Sequence, residues 1–189
     1  MPKIGAEPIR KAALIKAAIR SVGRSGSLDV TVAQIAREAG MSSALAHHYF
    51  GSKTRIFLAA MRQILTDYRG AVVAGMKTAT TPQQGLDAII SASFAGPNFD
   101  RDTIAAWLNF YALALVEPEA ARLLHIYRHR LRSNLLAVLR SLAPDRAEAL
   151  AETLGALIDG VYLRAALSSR MGHEAAESMI RDYLKDALK

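Results

Sequence analysis

Apolar positions recur along the chain at spacings of three and four, and nowhere do β-branched residues alternate with polar ones over the length of a strand. The pattern predicts an all-α fold. Ile9, Ala12, Ala13, Ile15, Ile19 and Val22 draw one apolar stripe, with Pro8 suited to a first helical turn and the run closing near Gly23 to Gly26. Thr31-Val32-Ala33-Gln34 has the form of a capping box, opening a helix that ends at Gly40. Ser42 is the next N-cap, for a short segment through Tyr49, and Gly51-Ser52 breaks and caps again. A long helix from Lys53 to about Gly75 carries Ile56, Phe57, Ala60, Ile64 and Tyr68 on one side. Further helices are predicted from Thr81-Pro82 to Ala95, from Asp100 to Glu117-Pro118, from Glu119 to Leu142, from Pro144 to Ser169, and from Gly172 to Leu188, about nine in all. No internal repeat or flexible linker separates them, so residues 1–52 and 53–189 are expected as two regions packed on each other.

Composition narrows the possibilities. A chain of 189 residues, 51% apolar and 22% charged, can bury a sizeable core. The absence of cysteine excludes disulfides, thiolate metal sites and a cysteine nucleophile. No apolar run reaches the roughly 18–20 residues that span a bilayer, and Met1-Pro2-Lys3-Ile4-Gly5 does not begin a secretion signal, so a cytoplasmic protein without membrane contact is expected. The net charge of +7 is not evenly spread. Residues 1–62 hold ten bases against three acids, whereas the remainder holds fourteen of each. A basic first third on a neutral remainder suits a chain that meets a polyanion at one end.

Two short helices about a glycine turn, preceded by a supporting helix, match the helix-turn-helix unit. In that unit the second helix enters the major groove of double-stranded DNA by its N-terminal residues, while the first crosses the backbone. Ser43 can bond a base edge, Ala44 can touch a thymine methyl, and His47 can donate to guanine or phosphate. Thr31, Ser42, His48, Tyr49 and Lys53 are the candidate phosphate contacts. Thr31, Ser42 and Ser52 can equally be helix caps, because capping and phosphate binding use the same groups. Ala33, Ile35, Ala36, Ala39, Met41, Leu45 and Phe50 are expected to form the small core.

The run from Thr31 to Lys53, through Tyr49-Phe50, resembles the DNA-binding signature of the TetR family of repressors. That resemblance implies a three-helix reading head, a connecting fourth helix, and a helical C-terminal body that dimerises and binds an inducer. Met1-Pro2-Lys3-Ile4-Gly5, His47-His48-Tyr49-Phe50, Ala106-Trp107-Leu108-Asn109-Phe110 and the segment Leu157 to Ser168 are similar to a choline-responsive branch of the family, which controls glycine betaine synthesis from choline. Tyr111 and Tyr162 stand where that branch is expected to carry tryptophan.

Five of the twelve aromatic residues fall between Phe94 and Tyr111, including the only tryptophan. Choline has no N–H to donate, so ring faces and nearby negative charge must hold it. Trp107, Tyr111, Tyr127, Tyr162 and Phe99 are the candidate cage, with Asp159 to balance the cation and Asn98, beside Asp100, as a gate or hydroxyl contact. Core filling competes for the rings, and an ion pair with Arg164 or a neighbouring helix competes for Asp159. Leu150, Leu154, Leu157, Ile158, Val161, Leu167, Met179, Ile180, Leu184 and Leu188 exceed what one helix pair can bury, which points to a homodimer on a palindromic operator.

No nucleophile elbow, phosphate-binding glycine loop or zinc-protease motif occurs, so no enzyme, catalytic residue, metal or cofactor is assigned. His125 and His129 lack a third ligand and, with Arg128, Arg130 and Arg132, suit a solvated basic face. A repressor sensing a different hydrophobic or cationic molecule is the first alternative. A helical module whose basic end meets a membrane or partner is the second.

Overall fold

The computed structural model describes residues 6–168 and 171–189. Among them are nine α-helices and no strand: α1 (Ala6–Ser25), α2 (Val32–Glu38), α3 (Ser43–Phe50), α4 (Lys53–Thr78), α5 (Pro82–Phe94), α6 (Arg101–Ala114), α7 (Pro118–Leu142), α8 (Ala147–Leu167) and α9 (His173–Ala187). The all-α expectation holds. The likeness of Met1–Gly5 and the predicted helix end at Ser169 lie outside the described residues.

Local signals account for most boundaries. Thr31 Oγ1 accepts from Gln34 N at 3.1 Å while Gln34 Oε1 accepts from Thr31 N at 2.7 Å, the reciprocal pair that opens α2. Gly40 holds φ +70°, a left-handed value that suits glycine, and so turns the chain between α2 and α3. One boundary moves. α4 continues past Gly75, because a Cβ there would lie 2.7 Å from that of Ala88, so this glycine serves a close approach of α5 rather than a stop.

The head is α1 to α3 packed around Leu14, Ala17, Ala18, Val22, Ile35, Ala36 and Ala46. Ala33, expected in that core, is exposed: on a 3.6-residue period it points away from the side shared by Ile35 and Ala36. Ala46 is fully buried in its stead. Glu38 clasps α2 to α1, accepting from Arg20 Nε at 2.8 Å and Ser21 Oγ at 2.7 Å and pairing with Arg24. Burial acts to raise the Glu38 carboxyl, but Ser21 and the two guanidiniums outweigh it and hold the pKa below the ordinary value.

Helix α4 packs on α1 and α3 at the head and on α5, α6 and α7 in the body. Helix α6 lies against α1, and also packs on α7 and α8. The expectation that Leu150, Leu154, Ile158, Val161, Ile180 and Leu184 need a second chain is corrected, since all six are buried within one. The reason is that α8 also meets α6 and α7, and α9 also meets α5, so more than one helix pair covers them. What stays exposed is Leu163, Leu167 and Met179.

Candidate nucleic-acid interface and effector site

On α3, Ser43, Ala44, His47 and His48 are all exposed, while Ala46 turns inward and anchors the helix. Ser43, Ala44 and His47 therefore share a free side at the start of the helix. Thr31, Ser42 and Ser52 all act as caps: Ser42 Oγ accepts from Leu45 N at 3.3 Å and Ser52 Oγ from Arg55 N at 3.2 Å. Capping uses each hydroxyl as an acceptor, so its own hydrogen stays available to an outside phosphate oxygen, and all three residues are exposed. His47 Nδ1 lies 3.0 Å from the Gly51 carbonyl. A neutral ring donating there presents Nε2 as an acceptor, and only the protonated ring donates outward, which refines the expected donor role.

His48 packs against Tyr49 with ring centroids 5.5 Å apart. Tyr49 is half-buried, and Lys11 Nζ of α1 sits 5.7 Å above its ring while pairing with Glu7 at 2.6 Å. Sequence reasoning missed Lys11, whose charge was counted but whose place against α3 depends on how α1 crosses it. Lys53, half-buried, is the first residue of α4. This basic, outward-facing rim can bind a phosphate backbone.

The body brings the candidate cage together. Trp107 contacts Tyr127 at 4.8 Å, Tyr111 at 5.6 Å and Tyr162 at 6.0 Å between ring centroids. Phe99 meets Tyr162 at 5.1 Å, and Phe94 lies beside both. These are separations of rings in direct contact, so the rings are packed on one another and a ligand among them must part them. Tyr162 donates to the carbonyls of Ser93 and, at 3.1 Å, Asn98. The buried Asn98 side chain donates to the Ala92 carbonyl at 3.0 Å, which commits its amide to the backbone. Asp100 caps α6, accepting from Thr103 N at 2.9 Å. Tyr68, on α4, joins the cluster through Tyr127 at 6.0 Å and was missed as a site residue, although it continues the buried register of Ile64.

Asp159 sits at the cluster edge. Its Oδ1 accepts from the Tyr111 hydroxyl at 2.9 Å, and its Oδ2 pairs with Arg128 Nη2 at 3.1 Å. The partner is thus a neighbouring helix and not Arg164. Arg128, assigned from sequence to a solvated basic face, also lies over the Tyr111 ring, 5.9 Å from its centroid. Burial first, and the Asp159 carboxylate next, push the Tyr111 hydroxyl far above the ordinary phenol range, so it stays a donor. Burial likewise raises Tyr127 and Tyr162.

Helix α6 joins the two regions. Trp107 and Tyr111 belong to the cluster, while Asn109 Nδ2 donates to the Gly26 carbonyl at 3.3 Å at the end of α1. Gly23 of α1 meets Asp102 of α6 so closely that a Cβ would lie 2.5 Å from the Asp102 Cα. Burial, then the neighbouring Asp100, raises the Asp102 carboxyl above its ordinary value.

No helix among the described residues is long and apolar enough to cross a membrane. The chain is 49% identical over 191 residues to the HTH-type transcriptional regulator BetI of Agrobacterium fabrum, covering all of this chain and 93% of that protein. It is 50% identical over 186 residues to BetI of Brucella suis, covering 97% of this chain and 94% of that one. A putative transcriptional regulator from Saccharomonospora viridis, solved in complex with choline, superposes with a TM-score of 0.83 at 24% identity, over 93% of this chain and 95% of the other, and so shares the fold. Residues 14–60 match the bacterial regulatory proteins of the tetR family, and residues 82–189 match the C-terminal domain of BetI-type transcriptional repressors. The chain therefore belongs to the TetR family as a BetI-type, DNA-binding transcriptional repressor rather than an enzyme.

Proposed function

We propose that this repressor acts in the cytoplasm on the genes for making glycine betaine from choline, and that choline is the effector that releases it. The observation that carries this reading is the convergence of Trp107, Tyr111, Tyr127 and Tyr162 beside the Asp159 carboxylate, a set suited to a quaternary ammonium. The BetI identity of its relatives and the choline complex of the Saccharomonospora regulator support the same ligand.

Ser43, Ala44 and His47 are the base-reading residues, and Thr31, Ser42, His48, Tyr49 and Lys53 position the head on phosphates. Two chains pair through the exposed side of α8 and α9 that carries Leu163, Leu167 and Met179. The two heads then lie about 34 Å apart, or a multiple of that, on a palindromic operator. Choline must favour a conformation whose heads no longer match that spacing, since equal affinity for both states changes nothing. Motion of α4, together with α6, carries the change to the head.

A mobility-shift assay on DNA upstream of the protein's own gene, with choline added or omitted, tests this. Choline is expected to release a salt-sensitive complex that survives random competitor DNA. Identical operator affinity at saturating choline would reject the sensor. Release by another cation such as carnitine, with choline inert, would keep the regulator and change its effector.

A further inference from the structure

A cation already occupies the place that a quaternary ammonium would need. The Arg128 guanidinium lies over the Tyr111 ring at 5.9 Å and pairs with Asp159 at 3.1 Å, and that carboxylate is held from its other oxygen by the Tyr111 hydroxyl at 2.9 Å. Ring face and carboxylate, the two features that recognise a cation without N–H groups, are both in use by the protein itself. The arrangement is unequal in mobility. The Arg128 side chain is 58% exposed and that of Asp159 only 22%, so the guanidinium can swing into water while the carboxylate and the ring stay. A surface cleft of about 400 Å³ between α7 and α8, bordered by His125, His129, Gly155 and Ala156, leads to Arg128 and Asp159 and offers the approach.

We infer that Arg128 is a built-in competitor for the effector: the seat of the ligand's cationic head is the position of the Arg128 guanidinium, and the ligand docks by displacing it from Asp159 and Tyr111. The inference rests on the proposed reading that the effector is a small quaternary ammonium. It adds a basis for selectivity. A neutral molecule of the same shape would leave Asp159 without a counter-charge once Arg128 moved, so it cannot complete the exchange. Displacement also breaks the Arg128–Asp159 tie between α7 and α8. The preceding residue on α7, Tyr127, packs on Tyr68 of α4, which links the exchange to the connecting helix.

Trp107 is the only tryptophan and lies 5.6 Å from Tyr111, so its fluorescence reports on this seat. The full-length protein is titrated with tetramethylammonium chloride against matched sodium chloride. Arg128→Met is expected to bind tetramethylammonium about tenfold more tightly than the wild type, because the occupied fraction of the seat is removed. Arg128→Gln gives the same gain by a second route, Arg128→Lys restores weak binding, and adding Asp159→Asn to Arg128→Met abolishes the gain. Dimethylbutanol, the neutral carbon isostere of choline, gains nothing. Equal or weaker tetramethylammonium binding in both Arg128→Met and Arg128→Gln, or an equal gain for dimethylbutanol, overturns the inference. If the gain for tetramethylammonium appears while choline moves neither protein, the displacement stands and the choline reading falls.

Discussion

The head and the body of this repressor place their chemistry on opposite sides of their helices. In the head, the candidate readers Ser43, Ala44 and His47 face outward from a helix anchored by the single buried residue Ala46, so candidate contacts and packing fall to different side chains. In the body, Trp107, Tyr127 and Tyr162 are both the candidate cage and part of the core, each less than a tenth exposed. A reading surface can therefore be altered with little effect on stability, whereas a sensing pocket built from core residues cannot. The same comparison bears on how a ligand would act at a distance: a change at Tyr111 would be felt along α6, and α6 touches the end of α1 through Asn109 and Gly26.

The largest expected effect tests the head alone. Replacing Ser43 and His47 together by alanine should reduce preference for the operator over random DNA by about a hundredfold or more, at about 1–3 kcal/mol per base contact, in competition mobility shifts. Helicity and melting temperature should hardly change. Unaltered discrimination would remove α3 as the reader.

Glu38→Gln should lower stability by about 1–2 kcal/mol in chemical denaturation, a figure reduced because Arg20 and Arg24 are largely solvent-exposed. The sign with pH follows from its depressed pKa. The stabilisation is full above the unfolded-state value near pH 4.5 and is lost as pH falls through the lower folded value. The gap between wild type and variant should thus close in acid, and a gap that widened there would contradict the clasp.

In the body, Tyr162→Phe keeps the ring but removes the hydroxyl whose single hydrogen is shared between the Ser93 and Asn98 carbonyls. A loss of about 1–2 kcal/mol in thermal or chemical unfolding is expected, unlike the near-neutral Ser43 and His47 substitutions. Lys53→Gln should produce the smallest change: weaker binding to every DNA sequence alike, with the slope of log affinity against log salt reduced by about one.

The two regions were also unequally legible. The capping box at Thr31, the turn at Gly40 and the polar run after Met41 lie within a few residues of one another, so their structural meaning is local and the pattern alone displayed it. Ala33 was misplaced because a seven-residue helix leaves too little periodicity to tell its sides apart. In the body the aromatic residues were found by type, but not the pairing of Arg128 with Asp159, which lies 31 positions away. Nor could spacing reveal that Tyr68, 59 positions before Tyr127, would pack against it.

By itself the sequence determined the helical class, the positions of the caps and turns, and the electrostatic division into a basic first third and a neutral remainder, because hydrogen-bonded turns and charge density depend on neighbours along the chain. Only the tertiary structure decided which apolar residues of α8 and α9 remain exposed, which rings share a cluster, and that a guanidinium already sits beside Asp159. Those outcomes depend on how helices cross, and crossing is settled by the simultaneous packing of side chains far apart in sequence.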